Sequence, residues 1–268
     1  MASAPHLLIF GLGYTATRIA AAVRAAGGAV IATRRIASAG ALAFDDPAVT
    51  GAIARATHLL SSVPPGSDGI DPVLARYGSI IAAAPLAWTG YLSSTGVYGD
   101  TGGAWVDESA AVGGGRRSAR VDADLAWQRL RPDVRVFRLP GIYGPGRSAI
   151  DRVRAGLANR IDVPGHVFSR IHVDDIVAAV RATFDHGRPG IFNVADAEPA
   201  SGSAVTEHAC DLLGLSYPAL LGLADADLSP MARGFYAENR RVAALKIGRE
   251  LNVRLRFPDY RAGLAACL

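Results

Sequence analysis

The segment HLLIFGLGYTATRIAAAVRAAGG (6–28) constrains the fold of this chain more than any other. HLLIF is an apolar run of strand length, and GLG follows it with no spacer. Thr15–Ala26 then carries alanines and branched apolar residues at helical spacing and ends at Gly27–Gly28, a natural helix stop. A strand, a glycine turn and a helix in direct succession form the first unit of a parallel α/β sheet. Within GLGYTA (11–16), Gly11 permits the tight turn and Gly13 lets the backbone approach a bound group. Ala16 stands where a third glycine is usual, a position that needs only close helix–strand packing. Tyr14 and Thr15 open a helix whose unpaired N–H groups and positive dipole end suit an anion. Gly11, Gly13, Tyr14, Thr15 and Ala16 therefore predict a site for the pyrophosphate of a dinucleotide.

Further strand-like runs follow: AVIAT (29–33), ALAF (41–44), THLLSS (57–62), WTGYLSS (88–94) and VRVFRL (134–139). Helical stretches separate them, including one from about Arg117 to Leu130, as right-handed crossovers between parallel strands require. After Pro140 the rhythm loosens: a turn-rich GIYGPGRS (141–148), a helix near Ala149–Ala158, the strand SRIHV (169–173) and GIFNV (190–194). Asp174 is placed to cap a helix over Asp174–Asp185. The expected fold class is α/β: a Rossmann-type, doubly wound parallel sheet with a small, mostly helical C-terminal lobe. Residues 1–150 and 169–196 are assigned to the dinucleotide-binding domain, and 151–168 and 197–268 to the lobe on the substrate side.

Composition narrows the partners. Half of the 268 residues are hydrophobic and 19% are charged, which suits a globular protein with a substantial core. The net charge of +4 comes from arginine, since Lys246 is the sole lysine. No arginine run is interleaved with aromatics, so the charge footprint argues against nucleic acid. No apolar stretch reaches the length of a membrane span, and the N-terminal run reads as a buried strand, not a signal peptide. Cys210 and Cys267 lie far apart without metal spacing and are expected to be reduced, as in a cytoplasmic protein. No metal site is expected, because no His, Cys or acidic residues stand at ligand spacing.

The second strand bears on the dinucleotide type. An NAD-preferring site usually ends this strand in a carboxylate that accepts from the ribose 2′-OH. Here it ends in Thr33–Arg34–Arg35. Two guanidiniums can hold a 2′-phosphate through charge-assisted bonds, so NADP is expected in preference to NAD. Ser61, Ser62 and Val63, after the fourth strand, are expected to pass over the cofactor through backbone contacts.

Four more segments carry a family resemblance. YLSSTGVYGD (91–100), FRLPGIYGPGR (137–147), RIHVDDIVAAV (170–180) and FNVAD (192–196) recur in the order and spacing of extended short-chain dehydrogenases/reductases. That group holds nucleotide-sugar epimerases and dehydratases, and the resemblance covers nearly the whole chain. It implies Ser94 as the residue that hydrogen-bonds the reacting oxygen. It also places Arg116 and Arg120 where the family has its catalytic Tyr and its Lys. No Tyr lies between Tyr98 and Tyr143, and no Lys precedes Lys246, so this sequence departs from the family at its proton donor. A guanidinium stays charged in proteins and cannot replace the phenol.

Tyr98 and Tyr143, on loops after parallel strands, are the candidates for a relocated acid. His166 reads as a loop histidine, His172 as a structural one, and capping accounts for Asp174 and Asp175. Arg120 is a candidate for the nicotinamide ribose, and Arg116, Arg147 and Arg170 for an anionic substrate. Three functions fit. The first is an atypical NADP-dependent oxidoreductase or epimerase acting on an anionic, nucleotide-sugar-like substrate. The second is a non-catalytic NADP(H)-binding regulator or redox sensor that engages a protein partner. The third is a structural subunit with a vestigial cleft. Relatives pair through the two helices flanking the Ser94 strand, so the resemblance also implies a homodimer through 71–84 and 117–130.

Overall fold

A computed structural model describes residues 4–66, 68–116, 118–185 and 188–268. Arg117, with which the sequence reading opened the fourth helix, lies outside the described residues. Alternation within the first strand, His6–Phe10, explains the layered architecture. Leu7 and Ile9 point into one core, and Leu8 and Phe10 into the other. Such a strand is buried on both faces and must lie inside a sheet covered by helices on both sides.

Seven parallel strands form that sheet. From edge to edge they are Gly190–Asn193, Val134–Leu139, Trp88–Ser94, His58–Ser61, His6–Phe10, Ala29–Arg34 and Leu42–Ala43. Helices Tyr14–Ala25 and Val173–Asp185 cover one face through Ile19, Val23, Ile176 and Val180. Ala48–Arg55, Pro72–Ala83 and Ser118–Leu130 cover the other through Ile53, Tyr77, Ile81 and Trp127. Asp71 joins two of these helices. One carboxylate oxygen caps Pro72–Ala83 by accepting from the Val73 and Leu74 N–H groups, and the other accepts from Trp127 Nε1 at 2.9 Å. This arrangement is the Rossmann-type α/β fold expected from the sequence.

Strand order reverses between His6–Phe10 and His58–Ser61, because the chain leaves the first strand toward one edge and the fourth toward the other. Phe10 is in register with Thr33 on one side and with Ser61 on the other, and Ser61 with Tyr91. The carboxyl ends at Gly11, Arg34, Ser62 and Ser94 thus share one edge of the sheet. That edge flanks the crevice where open α/β sheets bind ligands.

Three small parallel pairs extend the structure: Gly141–Tyr143 with Arg170–His172, Arg160–Asp162 with Leu220–Gly222, and Trp105–Val106 with Arg241–Val242. A separate apolar cluster contains Tyr143, Ile150, Val205, Ala209, Tyr260 and Leu264. Helix Leu245–Leu251 instead sends Ile247 and Leu251 into the core of the main sheet. Two local expectations change. The helix from Ala149 ends at Arg154, with Gly156 just beyond it at φ +67°. The helix expected to start at Asp174 starts at Val173, and His172 caps it: Nδ1 accepts from the Asp174 N–H at 3.2 Å. Burial lowers the pKa of His172, which favours the neutral ring that this acceptor role requires.

Among the described residues no helix is long and apolar enough to cross a membrane, and no cluster of His, Cys, Asp or Glu could hold a metal ion. Cys210 and Cys267 are both buried and unpaired as disulfides.

Candidate dinucleotide site

The two glycines of the first turn are required for different reasons. Gly11 has φ +85°, and a Cβ there would stand 2.9 Å from Val63 Cγ2. The loop after the fourth strand closes on it: the Ser62 N–H donates to the Phe10 carbonyl at 2.9 Å and Ser62 Oγ donates to the Gly11 carbonyl. The end of the second strand supports the other side, where the Leu12 N–H donates to the Thr33 carbonyl at 2.9 Å. The Gly11 N–H reaches Thr33 Oγ1 at 3.4 Å. Gly11 is therefore fixed by the protein's own packing.

Gly13 is not. Its φ of −93° is open to any residue, and a Cβ there would meet nothing within 4 Å. Helix Tyr14–Ala25 begins at this point without a side-chain cap and without an acidic residue in its first turn. Free N–H groups, the positive end of a twelve-residue helix and open space at an unforced glycine fit a diphosphate. Thr15 and Ala16 are buried beneath the turn. At the neighbouring strand end, Thr33 is buried and Arg34 and Arg35 are exposed.

Ser94 lies partly exposed at the end of the fifth strand. Its Oγ accepts from the Gly96 N–H at 3.1 Å and so caps a 3₁₀ turn, Thr95–Tyr98. Among the described residues the Ser94 O–H has no acceptor, so it can donate to a bound group. Arg120, near the start of helix Ser118–Leu130, reaches the Tyr91 hydroxyl at 3.5 Å. Tyr91 is stacked on Trp127, and burial pushes its pKa up to about 12 despite the nearby guanidinium.

Both candidate acids are engaged by the protein. Tyr98 is 3% exposed, donates to Asn193 Oδ1 at 2.7 Å and carries the Arg138 guanidinium 4.9 Å from its ring centre. Tyr143 is 7% exposed, packs in the C-terminal apolar cluster and directs its hydroxyl to the Asp259 carbonyl at 3.4 Å. Burial raises both phenol pKa values, which opposes proton exchange near neutrality. In this arrangement both hydroxyls are directed at protein partners.

Two of the three substrate-side arginines are also occupied. Arg116 donates through its N–H to Glu238 Oε1 at 2.9 Å and through Nη2 to the Gly234 carbonyl. Arg170 donates to the Phe168 and Ala200 carbonyls, both at 2.7 Å, and more weakly to Ser201. Arg116 and Arg170 thus act as fasteners between segments. Arg147 is exposed and stands 5.6 Å from the ring centre of Tyr14. The His166 ring is buried beside Phe168 and Tyr236. Asp175 accepts from the Arg256 and Phe257 N–H groups, as a structural acid does.

Sequence reasoning missed Asp124, Asn193 and Glu238. Asp124 pairs with Arg138 and accepts from Ser93 Oγ at 2.6 Å, directly beneath Ser94 in the chain. Glu238 holds both Arg116 and Arg240, and Arg240 reaches the Gly99 carbonyl. The one available signal was an isolated acid facing an otherwise apolar helix side at Asp124. Glu238 stands in a segment without periodicity and gives none.

No protein-family model matches the chain, and no curated protein does. Among solved structures, a conserved protein of unknown function from Silicibacter pomeroyi is 44% identical, with 98% of each chain covered and a TM-score of 0.90. The human epimerase family protein SDR39U1 (isoform 2), solved with NADPH, is 18% identical over 97% of each chain, with a TM-score of 0.79. UDP-glucose 4-epimerase from Thermotoga maritima, solved with UDP-glucose, is 14% identical over 97% of this chain and 98% of that one, with a TM-score of 0.73. The chain therefore belongs to the family of the conserved Silicibacter pomeroyi protein, and it shares its fold with the human SDR39U1 and Thermotoga maritima epimerase structures.

Proposed function

We propose that this chain binds a nicotinamide dinucleotide, NADP(H) in preference to NAD(H), at the Gly11–Gly13 turn. The observation that carries the reading is Gly13: a glycine that neither backbone strain nor packing requires, beside an uncapped helix start. The likeness in fold to a human protein solved with NADPH supports the cofactor class. Arg34 and Arg35, exposed at the adjacent strand end, support the 2′-phosphate. In this reading the cofactor, when bound, would supply or accept a hydride, and Arg120, near the start of helix Ser118–Leu130, would hold its nicotinamide ribose. The free O–H of Ser94 donates to the oxygen of a carbonyl substrate, an anionic or nucleotide-sugar-like molecule.

One observation favours a second reading. The Tyr98 and Tyr143 hydroxyls are directed at protein partners, so neither of the two phenols expected from the sequence is poised for acid–base catalysis. A non-catalytic NADP(H)-binding sensor that engages a protein partner needs only the dinucleotide site. Turnover decides between them. NADPH oxidation across a panel of carbonyl compounds and nucleotide sugars, lost in Ser94→Ala, supports the enzyme. Tight NADPH binding without turnover of any panel member supports the sensor.

A further inference from the structure

Two arginines approach the ring of Tyr14, the first residue of the helix that follows Gly13, and their circumstances differ. Arg18 stands 5.5 Å from the ring centre and its charge is compensated by Asp174, with Nη1 to Oδ1 at 2.8 Å. Arg147 stands 5.6 Å from the same ring centre, is exposed, and its guanidinium pairs with no carboxylate among the described residues.

The turn that carries Arg147 is docked on the start of this helix. Gly144–Arg147 is closed by the Arg147 N–H donating to the Gly144 carbonyl at 2.9 Å, with Gly146 at φ +77°. The Tyr14 hydroxyl donates to the Pro145 carbonyl at 3.1 Å. Gly144, at φ +156°, lets Tyr14 come close: a Cβ there would lie 2.7 Å from the Tyr14 hydroxyl oxygen and 2.7 Å from Val173 Cγ1. The chain therefore uses a glycine, a proline turn and a tyrosine hydroxyl to hold a cation, without a carboxylate partner among the described residues, against the ring of Tyr14, the residue that follows Gly13.

We propose that Arg147 is a cofactor-binding residue, not a substrate-binding one, and that its guanidinium grips the pyrophosphate lying over Gly13 and the start of helix Tyr14–Ala25. The inference rests on the dinucleotide reading and adds a charged side chain to a site otherwise made of backbone N–H groups. A guanidinium matches two phosphate oxygens through paired N–H donors. The pyrophosphate is common to both dinucleotides, so this contact differs in kind from that of Arg34 and Arg35: it strengthens binding without choosing between them.

The test is a set of dissociation constants for NADPH and NADH, measured by titration calorimetry on the full chain. Arg147→Ala and Arg147→Gln are expected to weaken both cofactors by about tenfold, the scale of one charge-assisted bond at a solvent-facing site. Arg147→Lys should recover part of the loss. Arg34→Ala with Arg35→Ala should weaken NADPH alone. Wild-type binding with unchanged NADPH and NADH affinities in Arg147→Ala overturns the assignment and leaves the dinucleotide reading standing. The same holds if only a substrate's KM moves. Failure of the wild-type chain to bind either cofactor overturns both. The side chain is exposed, so neither substitution threatens the fold, and a thermal melt confirms this.

Discussion

Arg138 makes two hydrogen bonds to Asp124, at 3.0 and 3.2 Å, and both side chains are buried. Burial opposes the guanidinium's charge, and Asp124 more than offsets it, so the arginine stays protonated. The pair ties helix Ser118–Leu130 to the Val134–Leu139 strand. Ser93 Oγ also donates to Asp124, so the pair anchors the strand that presents Ser94. Breaking one side leaves a charge in the core without its partner. Asp124→Leu is therefore expected to cost about 3–5 kcal/mol of stability, measured by urea unfolding. Asp124→Leu combined with Arg138→Met should recover a large part of that loss.

The two glycines of the first turn should separate folding from binding. Gly11→Ala places a Cβ at φ +85° against Val63 and should lower stability by about 1 kcal/mol or more. Gly13→Val adds a Cβ that meets no protein atom within 4 Å and should melt within a few degrees of the parent while losing NADPH affinity. Thermal melts and cofactor titrations of the same two variants check both halves. Equal loss of stability in the two would show that Gly13 is also structural.

Much of the fold was legible because the chain marks it locally. WTGYLSS and VRVFRL occupy the bounds read from sequence, each a strand-length apolar run followed by a 3₁₀ turn or a proline. The side chains at the site were less legible, because their partners lie far along the chain. Tyr98 meets Asn193, Tyr143 meets Asp259, and Arg170 meets carbonyls at residues 200 and 201. Each of these side chains has the chemistry of an active-site group, and a distant contact turns it to structural use. The cap before Val173 escaped for a different reason. Capping preferences point to Asp174, whereas a buried neutral imidazole one residue outside the helix performs the task.

Ser94→Ala removes the acceptor that caps the Thr95–Tyr98 turn and the donor offered to a substrate. The stability cost should be near 1 kcal/mol, as for other caps. NADPH affinity should stay within about twofold, since a serine at the substrate's oxygen does not hold the dinucleotide. A tenfold loss of cofactor affinity would move Ser94 from the substrate to the cofactor.

Asp196 links stability to pH. It is 2% exposed, its Oδ2 has no hydrogen-bond partner among the described residues, and burial raises its pKa to about 7, with Arg170 and the Glu198 N–H partly offsetting this. Asp259 and Glu198 add like charge. The folded state holds this proton more tightly than the unfolded chain, whose aspartate ionises near pH 3.8. The resulting stability is fully present below pH 3.8 and is lost as pH rises toward 7, where the folded state also ionises. Asp196→Asn should flatten that decline in unfolding curves collected across this range. A variant with the parent's slope would place the ionisation elsewhere.

The central claim is that the Gly11–Gly13 turn holds an NADP pyrophosphate and that the arginines ending the second strand hold its 2′-phosphate. A crystal structure of the chain with NADPH tests it most directly. The account predicts the diphosphate on the N–H groups at the start of helix Tyr14–Ala25. It also predicts Arg34 or Arg35 within about 3 Å of a 2′-phosphate oxygen, and the nicotinamide toward Ser94. A dinucleotide bound elsewhere, or bound at this turn with its 2′-phosphate away from both arginines, would contradict it.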